Sequence, residues 1–141
     1  MRSLFYKLTK LFRRKSKMRE ALLVGIDEYP VNKLDGCILD VDRMEQMLAR
    51  NGDGRANFHV DVMRNELSSQ KIMKAIADLF VQPNEVSLFY FSGHGRSTLS
   101  GSEIVIPSDM AAERYSWGIS LCAIMELVNK SPAKAGSIGD L

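Results

Sequence analysis

Two short apolar runs, Ala21-Leu22-Leu23-Val24-Gly25-Ile26 and Val86-Ser87-Leu88-Phe89-Tyr90-Phe91, constrain this chain more than any other feature. Neither alternates with polar residues as a strand with one wet face would, so each reads as a strand buried on both faces. Strands of that kind need a covering layer on either side. Between Ile38 and Arg50 the apolar positions Ile38, Val41, Met44, Met47 and Leu48 step by three or four, and Asn51-Gly52 supplies a stop, which predicts a helix. Phe58 to Met63 alternates as a second strand. Ser68 or Ser69 caps a second helix, with Ile72, Met73, Ile76, Leu79 and Phe80 as its buried face. Pro83-Asn84 then turns the chain into the strand at 85–91.

Beyond that strand, Arg96 to Pro107 holds two short segments around Ser100-Gly101-Ser102, read as a small hairpin or flap beside a site rather than another layer. A third helix is expected from Ile119 to Asn129, capped by Ser120, and Pro132 to Gly136 reads as a loop. Ser137 to Leu141 reads as the start of a further strand. The alternation predicts an α/β domain with three layers, α/β/α, around a mostly parallel sheet that is incomplete at the C-terminus. With the first strand between the second and third, the loops after Ile26 and Phe91 become neighbours at a topological switch point, where open sheets bind ligands.

A chain of 141 residues, 45% of them hydrophobic, suits one domain. No apolar run approaches the roughly 20 residues that span a bilayer. Cys37 and Cys122 lack the paired spacing of a zinc site or disulfide scaffold, so a reducing, cytoplasmic setting is expected. The net charge of +2 is unevenly spread: residues 1–19 carry eight Lys and Arg and no acid, which leaves −6 for the rest. Leu4, Phe5, Leu8, Leu11 and Phe12 recur there at helical spacing. Residues 1–18 are thus read as a basic amphipathic extension that either contacts an anionic membrane surface through residues 1–17 or binds a partner, or else is a disordered or incidental tail, with 19–141 as the domain proper. Met18 offers an alternative start. No nucleic-acid partner is expected.

The second apolar run ends in Ser92-Gly93-His94-Gly95, which delivers a histidine between two glycines at a strand's C-terminal tip. An imidazole there can exchange a proton near neutral pH, and the flanking glycines let a substrate chain come close. Other candidates carry two readings each. Cys37 is a pocket wall or a small buried hydrophobe, and Asp40 is a pocket carboxylate or a helix cap. Cys122 and the methionines are read as core packing, His59 as structural or exposed.

Taken in order, Ala21 to Tyr29, Leu34-Asp35-Gly36-Cys37 with Asp40, Phe89 to Gly95, Pro107-Ser108-Asp109 and Gly118-Ile119-Ser120 resemble the amino-terminal part of caspase-like cysteine peptidases, metacaspases and their bacterial relatives in particular. The resemblance implies a caspase-haemoglobinase-like fold, with His94 as the histidine of a Cys/His dyad and Gly95 contributing an oxyanion N–H. It implies an acidic specificity pocket of Cys37, Asp40 and Ser92, and hence peptide or protein substrates cut after Arg or Lys. Calcium is the cofactor it suggests.

One part of the pattern is missing. The nucleophilic cysteine of such peptidases lies about 50 residues beyond the histidine, here about position 144, in an Asp-x-Cys-x-Ser-Gly setting that these residues do not contain. The expectation is a domain truncated before its nucleophile strand and inactive as it stands. The alternative is a non-catalytic interaction or decoy module that pairs with an intact homologous chain. A flavodoxin-type ligand-binding domain fits the alternation but lacks a phosphate-cradling glycine loop after the first strand.

Overall fold

The computed structural model describes residues 18–110 and 116–135. The basic segment 1–17 and the incipient strand at 137–141 lie outside the described residues. In chain order the elements are β1 (Arg19–Gly25), α1 (Cys37–Ala49), β2 (His59–Arg64), α2 (Ser69–Val81), β3 (Val86–Ser92), β4 (Gly95–Thr98), β5 (Gly101–Val105), α3 (Pro107–Met110), β6 (Gly118–Ser120), α4 (Leu121–Lys130) and β7 (Lys134–Ala135). A four-stranded sheet of order β2-β1-β3-β7 is parallel throughout. β1 lies between β2 and β3, as the switch-point argument requires.

Residues along β1 face opposite layers in turn, as the pleat dictates. Leu22, Val24 and Ile26 join Ile72, Ile76 and Phe80 of α2 and Ile124 and Val128 of α4 in the larger core. Ala21 and Leu23 pack instead against Val41 of α1, with Met44 and Leu48 at the margin. The result is the expected α/β/α sandwich. Burying a side chain such as Leu23, which is fully enclosed, contributes roughly 1.5–3 kcal/mol. α2 begins where the sequence implies, since the Ser68 hydroxyl accepts the Lys71 N–H.

The second half departs from expectation. Gly118 to Ser120 is a strand that pairs Ile119 with Ile104, so the flap becomes a three-stranded antiparallel sheet, β4-β5-β6. Ser120 does cap α4, accepting the Cys122 N–H. A capping residue is itself extended, so the helix starts at Leu121 and Ile119 falls to the sheet. Cys122 is exposed rather than core: Ile124 and Val128 define the buried face, and a residue two positions before Ile124 lies about 200° around the helix. Met47 and Met125 also lie on solvent faces, so methionine spacing overstated their packing. The expected loop at 132–136 contains β7, which joins β3 at Val86 and Ser87. Its two residues are too few for periodicity to register.

Candidate active site

The parallel register pairs Gly25 with Ser92, so β1 and β3 end at the same level. The Ile26 N–H bonds the Ser92 carbonyl at 3.0 Å, holding the two departing segments together. Gly93 follows in a space no side chain could share: a Cβ there would lie 2.5 Å from the Tyr29 Oη and 2.6 Å from the Phe91 ring. That crowding brings the next residue, His94, directly against the loop that follows β1.

Three contacts hold His94 in place. Its backbone N–H donates to the Tyr29 Oη at 2.9 Å, and the same hydroxyl donates to the Val105 carbonyl at 3.0 Å. The Val105 N–H bonds the His94 carbonyl directly at 2.8 Å. An antiparallel pair normally exchanges both bonds; here the reciprocal one runs through the phenol. The Tyr29 and His94 rings also meet edge-on, with centroids 4.5 Å apart. The third contact orients the imidazole: Nε2 lies 2.7 Å from the Asn32 carbonyl. A carbonyl only accepts, so Nε2 carries the proton and Nδ1 remains the basic nitrogen. Alternation along β4 and β5 then makes Gly95 and Ile104 a non-hydrogen-bonded pair, with the Gly95 N–H facing away from β5.

A second group of residues reaches the same rim from α1. The Asp27 carboxylate accepts the N–H groups of Cys37 and Ile38 at 2.8 and 3.3 Å, capping the helix from ten residues upstream. Asp27 is itself fixed by Asn65, whose side-chain carbonyl accepts the Asp27 and Glu28 N–H groups. The cap is thus Asp27 and not Asp40. Asp40, freed from that role, accepts the Ser92 hydroxyl on Oδ2 at 3.0 Å. Cys37 is buried close behind this pair. Burial pushes its thiol up from the ordinary value; a hydrogen bond with Ser92 opposes the rise, and the Asp27 and Asp40 carboxylates add to it.

Asp40 and Ser92 border an open hollow of about 520 Å³, closed on its far side by Ser97, Ser102, Arg96 and Glu103. Two of its three charges cancel, since Arg96 pairs with Glu103 at 2.6 Å. Burial works to raise the Glu103 carboxyl, but the Trp117 N–H, the Ser116 hydroxyl and Arg96 hold it below its ordinary value. Asp40 is left to set the sign of the hollow. A carboxylate with one oxygen engaged and one open to the cavity suits a guanidinium or ammonium.

The structure therefore brings together His94, Gly95, Asp40 and Ser92, with Cys37 behind them. Sequence reasoning missed Tyr29, Asn32, Asp27 and the Arg96–Glu103 pair. Asn32 has a left-handed φ of 56°, a conformation asparagine tolerates and the one local hint available. Cys122 is remote in role, and no thiol hydrogen-bonds the imidazole among the described residues. Among the described residues no three His, Cys, Asp or Glu side chains converge as candidate cation ligands. No described helix is long and apolar enough to cross a membrane.

The family described as "Caspase domain" matches residues 18–132. Metacaspase-1 of Schizosaccharomyces pombe is 33% identical over 98 residues, covering 61% of this chain and 23% of its own length. Metacaspase-1A of Aspergillus niger is 35% identical over 111 residues, 67% of this chain and 28% of its own length. Metacaspase-1 of Candida albicans is 36% identical over 91 residues, 59% and 20% respectively. The chain spans about a quarter of the length of these curated relatives.

Proposed function

This chain belongs to the caspase domain family, and we propose that it carries the histidine side of a cysteine-type endopeptidase site that cuts after Arg or Lys. The observation behind this reading is the meeting of His94 with the Asp40–Ser92 pair at one end of the sheet. In the proposed reaction His94 Nδ1 takes the proton of a thiol, and the thiolate attacks the scissile carbonyl. The Gly95 N–H stabilises the oxyanion, and the imidazolium protonates the leaving amine. Water then hydrolyses the thioester. Asp40 holds the basic side chain, with Ser92 orienting its carboxylate and Cys37 backing the pocket.

The attacking thiol is neither of the two present. Cys37 is buried behind Asp40 with its thiol pushed up, which opposes ionisation, and Cys122 sits on the outer face of α4. In the proposed function these 141 residues bind substrate and orient the proton carrier, and the nucleophile comes from polypeptide outside them. A non-catalytic partner of an intact homologue is the second reading. It draws on β3, whose edge from Leu88 to Ser92 has no strand beside it opposite β1 among the described residues. The acidic hollow beside His94 favours the first.

Fluorescence anisotropy with labelled peptides tests the proposal on the 141-residue chain. Arg and Lys peptides should bind at least tenfold tighter than Asp or Leu peptides, and Asp40→Asn should remove the preference. Equal binding of all four would overturn the basic-residue pocket. Hydrolysis by this chain above the buffer rate would overturn the external thiol.

A further inference from the structure

A second hollow, of about 390 Å³, opens on the other side of His94. Pro30, Val31, Val105, Met110 and Trp117 line it, and Gly95 and Arg96 border both it and the acidic hollow. It is the chemical opposite of its neighbour, since its walls are mainly aliphatic and aromatic. Val31 is 62% exposed and Trp117 36%, so two large apolar side chains stand open to water beside the candidate site. Apolar surface of that kind, next to convergent polar groups, marks binding surface.

Trp117 is held rather than loosely placed. Its backbone N–H donates to Glu103 at 2.8 Å, and the Arg96 guanidinium lies 4.4 Å over its ring while also pairing with Glu103. The opening of the hollow is fixed by the same Asn32 segment whose carbonyl orients His94. A preformed wall loses little side-chain entropy when a ligand docks on it.

We infer that this hollow receives a large apolar side chain, Phe or Leu, of the substrate residue immediately after the scissile bond. The inference rests on the peptidase reading above. With the basic side chain against Asp40 and the scissile carbonyl near Gly95, the peptide must continue past the imidazole that protonates its leaving nitrogen. The next residue then lies over Val31 and Trp117. Gly95 and Arg96 line both hollows, which is why a peptide already held at Asp40 is the fitting occupant.

Trp117 is the sole tryptophan of the chain, so its emission reports occupancy of this hollow. Three peptides titrated into the 141-residue chain separate the outcomes: acetyl-Gly-Arg-Phe-Gly-amide, acetyl-Gly-Arg-Gly-Gly-amide and acetyl-Phe-Arg-Gly-Gly-amide. The first should bind about tenfold tighter than the second by calorimetry and be alone in shifting the Trp117 emission. Val31→Asp should bring the ratio between the first two to about one, and a ratio measured within one variant is insensitive to partial loss of folded protein. Equal affinities with a silent Trp117, or a shift given only by the third peptide, would overturn the inference while leaving the basic pocket intact. Replacing Arg by Gly in the first two peptides should weaken both; affinities unchanged by that replacement would instead sink the basic pocket and keep the apolar one. Failure of all three peptides to bind would remove both.

Discussion

The Nε2 atom of His94 lies 2.7 Å from the backbone carbonyl of Asn32, a residue in the left-handed region at φ 56°. An unusual backbone conformation sixty-two positions upstream therefore decides which imidazole nitrogen is free to act as a base. Neutral His94 should be the Nε2–H tautomer in long-range ¹H–¹⁵N spectra; an Nδ1–H tautomer would refute the assignment. Asn32→Gly should keep the tautomer. Asn32→Val, β-branched at positive φ, should destabilise the fold by about 1–2 kcal/mol and blur the ring orientation.

Tyr29 is 1% exposed, and its hydroxyl serves the His94 N–H and the Val105 carbonyl together. Tyr29→Phe leaves both without that partner and should lower stability by about 1–3 kcal/mol in urea denaturation. The same burial pushes its phenol up from 10.0 to about 12, against the opposing hydrogen bond from His94. The folded state then holds the phenolic proton more tightly than the unfolded state. Stability from this group is full below pH 10 and lost as pH rises towards about 12. Tyr29→Phe should flatten that part of the alkaline limb.

Asp27 joins the end of β1 to the start of α1, the helix that carries Asp40. Asp27→Ala should cost about 1 kcal/mol, within the usual range for losing a cap. Asp27→Asn, which keeps an acceptor, should restore most of it. Basic peptides should bind the alanine variant more weakly than the asparagine variant; equal binding would mean the cap does not position Asp40.

Glu103 is buried with three donors around it and its carboxyl held below 4.5. The unfolded chain takes up this proton first as pH falls, so the stabilisation is present above about 4.5 and lost as pH drops through the lowered folded value. In acid titrations followed by circular dichroism, Glu103→Gln should show a shallower loss of stability below pH 4.5. It should also loosen Trp117, seen as a change in emission without peptide. An unchanged acid limb would assign no stabilising role to the pair.

What the amino-acid order determined by itself was whatever depends on local periodicity and on short strings of residues. The doubly buried strand at Ala21, the existence of the strand at Val86, the amphipathic helix after Ser68 and the glycine-flanked His94 all follow from patterns within a dozen residues, as does the family likeness they carry, although apart from Ser87 the Val86 strand is only part-buried. Only the tertiary structure decided which distant residues share a bond. The 2.8 Å contact from Asp27 to Cys37, the Tyr29 bridge to Val105 and the Asn32 carbonyl on His94 depend on strand register and loop path. Short strands such as β6 and β7 belong with them, because two or three residues hold no period and exist as strands only through the partners that three-dimensional folding places beside them.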